Sequence, residues 1–312
     1  MAGRHVIFGC NGPVGMNLME RLAAAGEEVV GVCRSGKSAA PAGVRIEAGD
    51  VRNLQDARRI AKGAKVVYCC IGIPYDTWQD QWPAIVDGLL AAAESAGARL
   101  VFADNVYCYG PQQRPLKEDM PLTDYGRKPA LRARMVRTML NAHAQDRAPV
   151  VVVRASDFYG PRVTNAALGE IVFGRLLAGK SAQILGKADI LHTFAYVPDL
   201  GRALVTLANA ADDAYGRAWH VPSAPALTQR EVVERVASIL GVRPKIQTLP
   251  AFAVRMVGLV NPILRELYEL MYQWQRPFLV DHSDFAARFW SDFTPLDEGL
   301  RATAEWYRKR SG

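Results

Sequence analysis

A short apolar segment that runs into closely spaced glycines and out again into a helix leaves a chain few folds to adopt. Here His5 to Phe8 lead into Gly9-Cys10-Asn11-Gly12-Pro13-Val14-Gly15, and Val14, Leu18 and Leu22 then recur at helical spacing. Strand, glycine turn and helix in that order form the cradle of a dinucleotide pyrophosphate. Gly9 is expected to make the tight turn, Gly12 to let backbone N–H groups reach the phosphates, and Gly15 to let the helix close onto the strand. Asn11, Pro13 and Val14 complete the expected cradle. The helix N-terminus adds partial positive charge and free donors. The alternative is a glycine-rich turn that binds nothing.

The rest of the first half keeps the same rhythm. Apolar strands are expected at 28–33, 44–48, 65–71, 99–103 and 149–154, with helices over 53–62, 82–96 and 130–144 between them. Near-continuous apolar strands suit a parallel sheet covered on both faces. The pattern predicts an α/β, doubly wound parallel sheet with its ligand at the carboxyl ends of the strands. After Arg154 the rhythm breaks. A helix over 168–178, an extended segment 192–197, a helix 199–210 and a strand 219–221 follow. Thr228 with Glu231 three residues on is a capping box opening a helix to Leu240. Residues 251–275 read as helical, interrupted at Asn261-Pro262. We expect a dinucleotide-binding domain over 1–160, with 190–215 returning to it, and a smaller, mostly helical substrate lobe over 161–312.

Composition narrows the partners. The 312 residues carry a formal charge of +7. The basic residues are scattered rather than clustered, so we expect an anionic small molecule, not nucleic acid. No apolar run reaches the roughly 18–20 residues that span a bilayer, and no signal-peptide layout is visible, so no membrane partner is expected. Cys10, Cys33, Cys69, Cys70 and Cys108 are odd in number and lack metal spacing. They are expected to be reduced thiols of a cytoplasmic protein.

The spacing G-x-x-G-x-x-G resembles that of the extended short-chain dehydrogenase/reductase superfamily, the NAD-dependent epimerase/dehydratase group. Ala48-Gly49-Asp50-Val51 is similar to its adenine-contacting G-D-hydrophobic element. Val101 to Gly110 resembles its fifth strand and V-Y-G turn, Arg154 to Pro161 its R-P-x-x-x-Y-G-P turn, and Phe194 to Asp199 its F-x-Y-V-x-D segment. The resemblance implies a Rossmann fold and a cofactor held also by Asp50, Val51, Ile71, Gly72 and Ser156. It further implies a homodimer through the helices after the fourth and fifth strands.

At the tip of the second strand NAD-binding members carry an acid for the ribose 2′-hydroxyl. This chain has no Asp or Glu between Glu28 and Glu47; the tip reads Cys33-Arg34-Ser35-Gly36-Lys37. A guanidinium at Arg34 and a hydroxyl at Ser35 suit a 2′-phosphate. The expected cofactor is NADP(H), with NAD possible if Arg34 only stacks on adenine.

The usual Tyr-x-x-x-Lys pair is missing. Counting from Gly110 and Arg154, the Ser/Thr position falls on Asn105, the tyrosine position on Lys128 and the lysine position on Arg132. One reading makes Lys128 the proton donor, its pKa lowered by burial and by Arg132, with Asn105 bonding a substrate oxygen. A second brings in Tyr125 from the loop. A third keeps cofactor binding without redox chemistry, as in a regulatory or sensor protein. For Lys128 and Arg132 the plain alternative is a solvated helix face. Asp157, Tyr159 and His192 are further candidates near a substrate. Tyr268, Met271, Tyr272 and Trp274 fit an apolar helix face. The expected activity is NADP(H)-dependent oxidoreduction of a small carbonyl compound or alcohol, ahead of nucleotide-sugar epimerisation or dehydration.

Overall fold

The computed structural model describes residues 3–311. The alternating first half comprises β1 (Arg4–Phe8), α1 (Pro13–Ala24), β2 (Glu28–Cys33), β3 (Arg45–Ala48), α2 (Leu54–Ala61), β4 (Val66–Cys69), α3 (Trp78–Ala96), β5 (Arg99–Asn105), α4 (Lys128–Ala144) and β6 (Val150–Ala155). The order in the main sheet is β11-β6-β5-β4-β1-β2-β3, where β11 is Ala218–His220. Parallel register sets Phe8 opposite Val32 on one side and Cys69 on the other. The apolar stretches of β1, β4 and β6 are buried along their length, as strands covered on both faces must be. Val6, Phe8, Val67, Phe102 and Val152 meet Ile60 of α2, Leu89 of α3 and Met135 of α4 in one core. Sheet order reverses between β1 and β4, and ligands of open α/β sheets bind at the carboxyl ends beside such a reversal.

The helices start where local chemistry lets them. Asn53 caps α2 by accepting from the backbone N–H of Gln55 and Asp56. The third helix begins at Trp78 rather than at the expected Trp82, so Pro83 lies inside it. The fourth begins at Lys128, two residues before the expected Ala130.

Two compact units share the chain. One comprises the chain up to Cys108, Leu122–Arg154 and Leu200–Trp219; the other comprises Tyr109–Pro121, Ala155–Asp199 and everything from His220 on. The expected hand-over at 160 therefore falls at 154, and the return covers 200–219 rather than 190–215. The cause is hydrogen bonding. Just past β6, strand β7 (Asp157–Tyr159) pairs with β10 (Phe194–Tyr196) instead of the main sheet. Gly216 N–H donates to Val150 (2.8 Å) and Val152 N–H to Arg217 (3.1 Å), which extends the main sheet beyond β6.

The second unit also holds α5 (Arg175–Leu177), β8 (Ala182–Leu185), β9 (Leu191–His192), β12 (Leu227–Thr228), α7 (Gln229–Leu240), β13 (Ile246–Leu249), α8 (Ala251–Val257), α9 (Pro262–Tyr268), α10 (Ser283–Arg288) and α11 (Leu296–Ser311). Helix α6 (Val197–Ala208) passes from this unit into the first. The expected helix over 168–178 is a π-helical turn, Glu170–Gly174, running into the short α5. The Thr228–Glu231 capping box is formed. Tyr159, Phe173, Val236, Trp274 and Tyr307 belong to the core of this unit.

Candidate active site

The glycine turn is fastened to the end of β2, where the N–H groups of Gly9 and Cys10 both donate to the Val32 carbonyl at 3.1 and 3.3 Å. Gly9 has φ +87°, and a Cβ there would lie 2.6 Å from the backbone of Cys70 and Ile71. A Cβ on Gly15 would collide with the Gly9 carbonyl oxygen. Gly12 differs: its nearest neighbours would be 3.6 and 3.7 Å away, ordinary contacts. Gly12 is the N-cap of α1, no side chain caps it, Pro13 fills the first turn, and no acid lies there. The Gly12 N–H donates to the Gly9 carbonyl at 3.2 Å, and the first-turn donors and positive pole of α1 make an end of the kind that suits an anion. Asn11 braces the turn, donating from Nδ2 to the Lys37 carbonyl at 3.0 Å. Val14 and Val51 are buried, Ile71 is half-buried, and Gly72 faces open space.

At the end of β2, Arg34 and Ser35 are exposed. Asp50 accepts from Arg52 Nε at 2.9 and 3.1 Å. That hydrogen bond, with smaller help from the charge of Arg34, holds its carboxyl below the usual carboxylate range. Arg52 thereby matches the Asp50 charge with an ion pair.

The start of α4 is not a solvated face. Lys128 is 3% exposed and Arg132 5%, whereas Arg127, Arg134 and Arg137 face water. Arg132 pairs with Asp104 at 3.2 Å, and Arg154 approaches the other carboxylate oxygen at 3.6 Å. The Arg132 guanidinium lies 4.4 Å from the Trp78 ring centre and 4.2 Å from that of Trp82. Its charge is therefore committed to a buried carboxylate and two indoles, a distribution the spacing rule at 128 and 132 does not reveal.

Lys128 Nζ lies 5.7 Å from the ring centre of Tyr75, whose hydroxyl is 3.0 Å from that of Tyr107. Asn105 Oδ1 accepts from the Tyr107 N–H at 3.0 Å, which leaves its amide hydrogens as donors. Tyr125 is 45% exposed. Tyr75, Tyr107 and Asp104 are the side chains that sequence reasoning missed here. Their positions just after the predicted fourth and fifth strands are the signal that could have found them.

In the second unit, Ser156 Oγ donates to the Thr193 carbonyl at 2.6 Å. His192 Nε2 is 2.7 Å from Asp157 Oδ2, and its ring stacks on Trp274 with centroids 4.0 Å apart. Burial pushes the Tyr159 hydroxyl far above its ordinary range, so it keeps its proton. Met271, Tyr272 and Trp274 are buried, and Tyr268 is partly exposed. All five cysteines are free thiols, and burial pushes Cys10, Cys69 and Cys108 up to about 12. Among the described residues no cluster of metal-ligating side chains is present, and no helix is long and apolar enough to cross a membrane.

No curated protein matches this chain. Among solved structures, WbmH of Bordetella bronchiseptica in complex with NAD+ is 20% identical over 100% of both chains, with a TM-score of 0.76. UDP-glucuronic acid 4-epimerase of Bacillus cereus in complex with NAD is 16% identical over 99% of this chain and 100% of that one, with a TM-score of 0.81. UDP-glucose 4-epimerase of Thermus thermophilus in complex with NAD is 19% identical over 98% of this chain and 99% of that one, with a TM-score of 0.77. At these identities the likeness establishes the fold. Residues 5–221 match the model of the NAD dependent epimerase/dehydratase family.

Proposed function

The chain belongs to the NAD dependent epimerase/dehydratase family, and we propose that it is an NADP(H)-dependent oxidoreductase that interconverts a small carbonyl compound and its alcohol. The observation that carries this reading is the pairing of an anion cradle at Gly12 with a buried cation, Lys128, within one unit. Gly9, Asn11, Gly12, Pro13, Val14 and Gly15 would hold the diphosphate, and Asp50, Val51, Ile71 and Gly72 the adenosine end and its approach. Ser156 belongs to the same assignment. Arg34 and Ser35 would take a 2′-phosphate. Bound there, the cofactor would supply or accept the hydride.

This chain's residues then manage the oxygen of the substrate. Lys128 supplies the positive charge on which proton transfer to that oxygen depends. The Asn105 amide donates a hydrogen bond to it, and Arg132 fixes the start of α4 through Asp104 and the two indoles. Exposure of Tyr125 favours Lys128 over the loop tyrosine. A homodimer through α3 and α4 belongs to the same reading.

A second reading, nucleotide-sugar epimerisation or dehydration, is supported by solved folds of this kind such as MoeE5 in complex with UDP-glucose and NAD, 23% identical with a TM-score of 0.80. Fluorescence titration with NADPH and NADH comes first, followed by turnover of an aldehyde and ketone panel and, separately, of UDP-glucose. Tighter NADPH binding with carbonyl reduction supports the proposal, and Lys128→Ala should then lower kcat about 100-fold or more while Tyr125→Phe leaves it unchanged. UDP-glucose turnover alone selects the second reading, and binding without turnover selects a sensor.

A further inference from the structure

Tyr75 lies outside the motifs read from this sequence and Tyr107 lies inside the Val101–Gly110 segment, and the fold brings their hydroxyls together. Tyr75 opens the turn Tyr75–Thr77 that follows β4, and Tyr107 opens the turn Tyr107–Tyr109 that follows β5. Those strands are neighbours in the sheet, so both phenols stand at its carboxyl edge, where the ligand of an open α/β sheet lies. Both are half-buried. Both rings are set by one indole: Tyr75 lies 5.0 Å from Trp78, and Tyr107 is stacked with it at 6.2 Å and 27°. The Asn105 side chain fixes the turn that carries Tyr107. The hydroxyls are 3.0 Å apart, and the Lys128 ammonium lies 5.7 Å from the Tyr75 ring centre.

We propose that Tyr107 is the catalytic acid of this site, with Tyr75 as its positioning partner and Lys128 as the fixed charge behind them. This rests on the reading of the site as one for carbonyl reduction. A reduced nicotinamide dinucleotide would supply the hydride and both electrons to the carbonyl carbon and be oxidised in doing so. The Tyr107 Oη–H bond breaks as an O–H bond forms on the substrate oxygen. Tyr75 donates its hydroxyl hydrogen to the phenolate left behind, and the Lys128 charge opposes the phenolate charge. Water at the exposed side of the pair returns the proton. The chain thereby replaces the usual tyrosine–lysine pair of one helix with hydroxyls from two adjacent strand ends and a helical cation.

The test uses the intact protein and three variants, Tyr107→Phe, Tyr75→Phe and Lys128→Met. Alkaline difference titration near 295 nm without cofactor follows tyrosinate formation. Its earliest component should vanish in Tyr107→Phe and move to higher pH in Lys128→Met. NADPH affinity by fluorescence should stay within about twofold in Tyr107→Phe, while kcat for the best carbonyl compound of the panel falls about 10²- to 10⁴-fold with little change in KM. Tyr75→Phe should shift the pH limb of kcat rather than abolish turnover. An early tyrosinate that persists in Tyr107→Phe overturns the proposal, as does a kcat within threefold of the parent protein. Failure of the parent protein to bind NADPH or NADH overturns instead the assignment of the glycine turn, and the titration separates the two results.

Discussion

Gly12 and Gly15 lie three residues apart in the same turn, and the geometry gives them different jobs. A methyl group at Gly15 meets the Gly9 carbonyl oxygen and lies 2.9 Å from Cys10 Cα, all backbone that cannot swing aside. Forced overpacking of this kind costs about 1–3 kcal/mol. Gly12 has φ −74° and ψ 162°, open to any residue, and a methyl there has only ordinary contacts. The loss as an N-cap should stay within about 1 kcal/mol. That methyl would instead stand among the backbone donors of α1 and hold a diphosphate back. A hydrogen bond to a charged group contributes about 1.5–3 kcal/mol, which at about 1.4 kcal/mol per decade is roughly a 10- to 150-fold loss of affinity. Urea unfolding of the cofactor-free protein and NADPH titration measure the two effects separately. Gly12→Ala should unfold close to the parent protein and bind at least about tenfold more weakly. Gly15→Ala should unfold earlier. Gly12→Ala that binds NADPH within twofold of the parent would refute the cradle.

Three other outcomes are expected. Arg34→Ala should weaken NADPH binding about tenfold and leave NADH unchanged, as loss of one charge-assisted phosphate contact implies; equal effects on both cofactors would remove Arg34 from the 2′ position. Asp104→Asn leaves Arg132 and Arg154 buried without their shared carboxylate and should cost about 3–5 kcal/mol in urea unfolding, and a loss below about 1 kcal/mol would show that water already reaches the cluster. Burial holds the pKa of His5 below 6.5, with Lys65 adding to the effect and Glu27 opposing it. The unfolded chain therefore takes up the proton first, so this contribution is present above pH 6.5 and lost as pH falls below it. His5→Phe should flatten the stability–pH curve in that window, and His282, shifted the same way by burial, contributes a slope of the same sign.

The parts of the fold visible in the sequence are those written in short-range order. The glycine turn, the apolar strands and the Thr228–Glu231 cap each occupy a few consecutive residues, and each is present. Helix ends were less legible. Pro83 favours the first turn of a helix, yet tertiary burial of Trp78 carries α3 a turn earlier and leaves the proline inside. The site was legible only where one element holds it. Lys128 and Arg132 share a helix, so their spacing could be counted. Tyr75 and Tyr107 are 32 residues apart, Asp157 and His192 35. Only strand order brings each of these pairs within hydrogen-bond distance, and no periodicity in the sequence records strand order. Arg132 shows the same limit from the other side: its position was evident, its commitment to Asp104 was not.

The interleaving of the two units also sets a clock on synthesis. The unit that carries Gly9 ends at Trp219. At roughly 5–20 residues per second, about 10–40 s separate translation of β1 from translation of the last strand of its sheet. During that interval β6 has been made but has no partner for the backbone groups of Val150 and Val152, which later bond Gly216 and Arg217. An open edge of four consecutive valines is a template for aggregation, so a nascent chain stalled near residue 160 should be chaperone-dependent, and a fragment cut there should be insoluble although it contains every residue of the glycine turn.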